Sequence, residues 1–514
     1  MSLLPFLAVA FVGGAGSLLL RANRPWSAGI GVVALVAMVA TASAMVPGSS
    51  LIVGGSTLAA SEWARLFALL GSVVGLGLVL VGLLTSSDRD VPGVTAIGLG
   101  AAVLALALPD PGQAVVAATI GGLVGVLVTA LPGEAARGAL VGIREIRAVA
   151  IGGALAILAA AWVARPLEGL AREPAVFGFA YLGFVLAVAI RFGAIPFHFW
   201  AARLADSAPE TGLPLLMAWS PAALAAVALA WVDGSVAPLL LPLENERALV
   251  AAVGAISIVL GIVAALVQDD LEHVLGYTII ADAGVAILGL AVLDPAAWEP
   301  TRTWLIVFLV GRSAFAAWVA AIHGAFGTRR LPELSGWIRR VPLLAVSLVV
   351  IAGASIGWPA MVAWGARAKL EELALPSLVA AVVGLAPLAA VAIYARIVAV
   401  GLAQPGRAVG DGTSERPGWP TPVPRRPVVG RSGTERAFER SSHAIQAGLD
   451  VLWVIPAAIR LNRVPITAVL VAALAALSIA VSSGGLGLPS AAGALPATVT
   501  EPGPAEPGGS PAPS

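Results

Sequence analysis

Charged side chains inside long apolar runs are the residues of this chain that could do chemistry. Arg191 closes one such run and opens Arg191-Phe-Gly-Ala-Ile-Pro-Phe-His-Phe-Trp200, an aromatic-rich stretch broken at Pro196. Asp282 lies inside Leu275-Gly-Tyr-Thr-Ile-Ile-Ala-Asp-Ala-Gly284, and Arg312 inside Phe308-Leu-Val-Gly-Arg-Ser-Ala-Phe315. His323 stands one helix end beyond Arg312, and Arg367 and Lys369 follow Gly357-Trp-Pro359. Hydrocarbon satisfies neither a bare charge nor a free backbone group, so such residues face a cavity or one another, and they mark ion pathways. The chemistry they suggest is movement of protons or other ions. Asp282 and His198 could take up and release a proton; an arginine holds its charge and can gate or pair but is a poor relay. Lys369, the single lysine of the chain, is a base that burial could tune.

Each has a plainer reading. His198 could cap a broken helix. Arg191 and Lys369 could extend to the lipid headgroups, as long basic side chains do near helix ends. Glu145, flanked by Arg144 and Arg147 at the start of a run, is expected at headgroup level. Asp282 and Arg312, near the centres of their runs, fit that reading least.

The elements that must position them are membrane helices. Of 514 residues, 59% are hydrophobic and 11% charged. Apolar runs long enough to cross a hydrocarbon core of about 30 Å recur along the chain. About fourteen are read, near 3–21, 27–46, 63–85, 91–108, 113–131, 144–165, 174–195, 209–232, 248–268, 273–292, 302–323, 341–357 with a broken continuation, 376–402 and 464–482. The first, with no basic start and more spans behind it, is expected to be a span and not a cleaved signal. Cysteine is absent, which removes disulfides, zinc–thiolate sites and cysteine-ligated clusters from this chain. No cofactor or metal is expected on it. A net charge of +1 gives no electrostatic case for nucleic acid. Arginines concentrate in the loops after odd-numbered spans, so those loops are expected on the cytoplasmic side and both termini outside. Residues 404–463 read as an Arg- and Pro-rich loop with an amphipathic helix near 434–455, and 483–514 as a disordered tail.

Four blocks in order resemble the antiporter-like membrane subunits of respiratory complex I and of multisubunit cation/proton antiporters. They are Arg191 with Pro196-Phe-His-Phe-Trp200 and Ala208-Pro209; Gln268-Asp-Asp-Leu-Glu-His-Val-Leu-Gly-Tyr277; Gly327-Thr-Arg-Arg-Leu-Pro-Glu-Leu-Ser-Gly-Trp-Ile-Arg-Arg-Val-Pro342; and Gly357-Trp-Pro359 through Lys369. The resemblance covers roughly 140–400. It implies an all-α integral membrane protein of fourteen helices. Two inverted five-helix repeats (91–232 and 245–403) would follow N-terminal helices at 1–90 and precede a last helix at 464–482, with helices broken at Pro196 and Pro359.

The departures from the family bear on function. The family is expected to move protons through a glutamate in span five, lysines in spans seven and eight, and a lysine or glutamate in span twelve. Span five here contains no carboxylate and centres on Thr119-Ile-Gly-Gly-Leu123. Arg191 stands at the span-seven position, Pro221 at the span-eight position, Arg367 at the span-twelve position, and Asp282 in place of a histidine. The resemblance implies a membrane subunit of a proton- or cation-translocating complex in an inner (plasma) membrane, with other membrane subunits and the bilayer as partners. The pathway would run by Arg191, His198, Asp282, Arg312, Arg367 and Lys369. The chain would not be catalytic by itself, though it could belong to an NADH:quinone oxidoreductase. Two alternatives stand beside this: a structural, non-conducting subunit, and a component of an anion or bicarbonate transporter, for which fixed arginines suit the path.

Overall fold

The computed structural model describes residues 2–85, 91–130, 135–164, 174–236, 241–403 and 462–487. Within them the chain is an assembly of apolar helices. The N-terminal group is α1 (Leu4–Leu19), α2 (Arg24–Ser43) and α3 (Glu62–Thr85). Then come α4 (Val91–Ala107), α5 (Pro111–Ala130), α6 (Ala139–Trp162), α7 (Pro174–Phe192) and α8 (Leu215–Gly234). A third group holds α9 (Glu244–Val267), α10 (Leu271–Ala291), α11 (Pro295–Phe326), α12 (Pro342–Ile356), α13 (Val362–Ala374) and α14 (Ser377–Leu402), and α15 (Arg463–Ser482) follows. Among the described residues, eleven helices are long and apolar enough to cross a membrane; α1, α4 and α12 are shorter apolar helices. The amphipathic segment expected near 434–455, and most of the expected tail, lie outside the described residues.

Among the described residues, a single two-stranded hairpin departs from the helical pattern. Ser50–Val53 pairs antiparallel with Ser56–Ala59 across Gly54-Gly55, whose positive φ angles (58° and 85°) suit a tight hairpin turn. The all-helical reading missed it because Leu51-Ile-Val53 is short and apolar and merges with the runs around it.

α8, α10 and α11 form the centre, with 89 to 100% of their apolar windows buried inside the protein. Two helices beside them are interrupted. α7 ends at Phe192; Gly193 takes φ 64°, Ile195–Pro196 is cis, and a short 3-10 turn spans Phe197–Phe199. α12 ends at Ile356, Gly357 takes φ 75°, and the chain resumes as α13. A side chain at either glycine would be strained, so both breaks are written into the sequence.

Loops that follow alternate helices meet on one face. There the Arg329 guanidinium contacts Glu272, lies 3.2 Å from Glu210 and 3.8 Å from Asp270. His323 Nδ1 is 2.6 Å from Glu210, His273 is 3.4 Å from Asp206, and Arg396 bonds Asp269. Burial alone would raise the Glu210 and Asp270 carboxyls. For Glu210 the bond and charge of His323, with Arg329, outweigh it; for Asp270, His273 and Arg329 do, and both are held below their ordinary values.

Glu272 is fully buried and Glu210 nearly so, with Arg329 as their shared cation. Removing one partner of a buried ion pair typically costs about 3–5 kcal/mol. Arg329→Ala should therefore lower the thermal midpoint of the detergent-solubilised protein sharply. Arg330→Ala, at an exposed pair with Glu333, should change it by no more than about 0.5 kcal/mol. Carboxyls held low in the folded state stabilise above their unfolded value and lose that effect as pH falls. The wild type should thus unfold more readily in acid below about pH 4, and Arg329→Ala should show a weaker dependence.

Candidate ion pathway

Asp282 sits on the fourth turn of α10, where its neighbours along the helix are all apolar or small, so its charge must be met from other helices. α11 supplies Arg312, whose Nε donates to Asp282 Oδ2 at 2.5 Å. Arg312 Nη1 donates to Tyr394 Oη on α14 at 3.0 Å, and Trp304 Nε1 donates to the Asp282 carbonyl at 2.9 Å. Only 2% of Arg312 is exposed.

The break after α12 brings α13 against this pair. Arg367 faces inward, with its guanidinium over the Trp364 and Trp304 rings at 5.2 and 5.9 Å. One turn on, Glu371 Oε1 lies 3.5 Å from Arg367 Nε, and both residues are buried. A cavity of about 20 Å³ separates the groups and is lined by Asp282, Arg312, Arg367 and Ser355. Among the described residues, Ser355 Oγ has no hydrogen-bond partner. A water needs about 10–15 Å³ and two to four polar partners, and both conditions are met.

A second buried acid and base lie between α5, α6, α7 and α8. Arg191 Nη2 donates to Ser220 Oγ at 2.6 Å. Its guanidinium occupies the space over Gly122 of α5, where a Cβ would fall 2.1 Å from Nη1. Span five thus carries a glycine where the arginine needs room. Glu145 of α6 accepts from Thr129 Oγ1 at 2.8 Å and is 2% exposed, while Arg144 and Arg147 on the same helix are exposed. The expectation of a headgroup position for Glu145 is overturned: successive helical residues point about 100° apart, so one residue of the charged trio turns inward. Pro221, which donates no backbone hydrogen bond, follows a π-helical turn at Leu215–Trp219 that presents Ser220 to Arg191.

One side-chain contact lies between the two sites. Trp219 Nε1 donates to Ser313 Oγ at 3.0 Å, so the neighbours of Ser220 and Arg312 touch. The Phe192 and Phe308 rings pack at 5.9 Å alongside.

Of the six residues expected on the pathway, Arg191, Asp282, Arg312 and Arg367 lie in these buried sites. Lys369 does not. Two residues from Arg367 is about 200° around a helix, so it points to the edge and pairs with exposed Glu372 at 3.2 Å. His198 lies in the 3-10 turn, its ring tilted against exposed Phe199 at 4.5 Å, with Nδ1 unpartnered among the described residues. Pro196 and Pro359 fall in the two interruptions. Sequence reasoning missed Glu371, whose i,i+4 spacing from Arg367 was a usable signal. It also missed the part played by Ser220, Ser355 and Tyr394, for which no local signal exists.

Residues 161–386 match the family described as NADH:quinone oxidoreductase/Mrp antiporter, transmembrane. The chain is 30% identical over 190 residues to NADH-quinone oxidoreductase subunit N of Desulfovibrio desulfuricans, covering 35% of this chain and 37% of that one. It is also 30% identical over 240 residues to subunit N 2 of Solidesulfovibrio magneticus, covering 45% and 50%. The chain thus spans half or less of the length of the curated relatives it matches. Its fold is similar to a chain of respiratory complex I from Thermus thermophilus, with a TM-score of 0.65 at 18% identity over 93% of this chain and 97% of that one. It is similar also to a chain of the Mrp complex of a Dietzia species, with a TM-score of 0.69 at 17% identity over 95% of each. The middle of the chain, residues 161–386, is thus similar to the antiporter-like membrane subunits of complex I and Mrp-type antiporters, and the fold of the chain is similar to theirs.

Proposed function

We propose that this chain moves protons as one membrane subunit of a multisubunit energy-converting complex in the inner (plasma) membrane. The observation that carries the proposal is the buried Asp282–Arg312 pair facing Arg367 across a water-sized cavity, with Glu371 behind it. The acids hold the protons and the arginines hold the charge. A proton on Asp282 removes the countercharge of Arg312, whose remaining bond is to Tyr394. Occupancy at one acid thereby changes the field at the next, and Trp219–Ser313 and Ser220 extend the row toward Arg191 and Glu145. Glu145 supplies the acid that span five lacks. The small cavity favours protons over a hydrated cation as the moving species.

The same reading takes α4–α8 and α9–α14 as two inverted repeats over 91–232 and 245–403, one buried acid–arginine site in each. The short helices α1, α4 and α12 would then complete fourteen crossings, around which 1–90 and 464–482 are the remaining membrane segments. The face carrying Arg329, Arg330, Arg339 and Arg340 would be cytoplasmic and the termini outside. Redox chemistry, as in an NADH:quinone oxidoreductase, would sit on partner subunits.

Three outcomes test this. Purified from its own membrane in mild detergent, the tagged chain should bring other membrane subunits with it, as identified by mass spectrometry; isolation alone, or with one soluble protein, would favour the anion-transporter alternative. In proteoliposomes holding the intact complex, Asp282→Asn should abolish proton uptake and Glu145→Gln should reduce it. Undiminished uptake in Asp282→Asn with the assembly intact would instead support a structural, non-conducting subunit. Gly122→Ala puts a methyl group into the Arg191 guanidinium. It should cost about 1–3 kcal/mol by overpacking, seen as a lower thermal midpoint, and it should slow proton uptake in complexes that still assemble.

A further inference from the structure

A groove of about 440 Å³ opens between α9 and the turn from α13 into α14. One wall is Ala248, Ala251, Ala252 and Ala255, and the other is Leu373, Leu375, Pro376 and Val379. Its mouth is polar, with Glu244 and Arg247 on the first turn of α9. From Glu244 to Ala255 is eleven residues, about 16 Å of helix and half the thickness of a hydrocarbon core. The groove therefore runs from headgroup level to the bilayer middle, the depth of one leaflet.

The mouth charges indicate what enters. Arg247 Nε donates to the Ala291 carbonyl at 3.1 Å, which fixes the guanidinium at the end of α10. Its two Nη groups make no hydrogen bond or ion pair among the described residues, and neither does the exposed Glu244 carboxylate. Glu246, close by in sequence, is turned away toward Gly178 on α7. One cation and one anion a helical turn apart, above an apolar slot one leaflet deep, are complementary to a headgroup that carries both charges. We propose that this groove binds a zwitterionic phospholipid of the ethanolamine type, with the phosphate on Arg247, the ammonium on Glu244 and one acyl chain along the alanine wall. An anionic lipid would satisfy Arg247 but meet Glu244 as a like charge. The proposal goes beyond proton movement and does not depend on it.

The test is native mass spectrometry of the detergent-solubilised full chain, delipidated and offered phosphatidylethanolamine or phosphatidylglycerol. The expected result is one phosphatidylethanolamine per chain, retained at least about threefold over phosphatidylglycerol, a margin the single ammonium–Glu244 pair can supply, since the phosphate–Arg247 pair is common to both lipids. Ala252→Trp, which fills the slot from an exposed position, should remove retention of both lipids while leaving the thermal midpoint in place. Glu244→Gln should erase the preference between headgroups without loss of binding. Equal retention of the two lipids by the wild type, or unchanged retention by Ala252→Trp, would overturn the proposal. So would a partner subunit that crosslinks from Ala252→Cys in the native complex, since protein and not lipid would then fill the groove.

Discussion

A charge held in hydrocarbon needs its partner within hydrogen-bond reach, and the centre of this protein is arranged around that requirement. Asp282 and Arg312 meet at 2.5 Å across two helices that are otherwise almost entirely apolar. Either charge by itself would be left in hydrocarbon without a partner. Their pairing fixes α10 against α11, and the Arg312–Tyr394 bond draws in α14. The break after α12 belongs to the same frame: α13 resumes at an angle that brings Arg367 to the cavity beside Asp282, with Glu371 one turn behind it. Packing of ordinary apolar residues supplies the bulk of the cohesion, but the charges decide which helices stand next to which.

The two buried sites solve the same problem differently. In the second half, acid and base touch. In the first, Arg191 bonds to a neutral hydroxyl, Ser220, and occupies a space left by Gly122, while Glu145 is held by Thr129. Arg191 and Glu145 thus share a region of the bundle without a direct bond. A pair that is not locked can respond to a charge arriving nearby, whereas a locked pair holds its state until a proton displaces it.

The polar cluster on one face differs in kind. Arg329, Glu210, Glu272 and Asp270 tie together loops that follow α7, α9 and α11. Arg329 and Asp270 are partly exposed while Glu272 and Glu210 are buried, so the cluster lies at the edge of the apolar interior and ties the ends of the central helices together.

Much of this was legible in the sequence. Run length and composition determined a multi-helix membrane protein, because hydrocarbon admits only backbone that satisfies itself. The breaks were legible at Gly193–Pro196 and Gly357–Pro359, and isolated charges singled out Arg191, Asp282, Arg312 and Arg367. Tertiary structure alone decided who pairs with whom. Asp282 and Arg312 are 30 residues apart, and Arg312 and Tyr394 are 82 apart. No local spacing encodes such contacts, since they follow from how whole helices pack. Helical phase, which a weakly patterned apolar run does not reveal, turned Glu145 inward from between two exposed arginines and turned Lys369 out to the edge. A residue's type set what it could do, and its direction from the helix axis decided whether it could do it here.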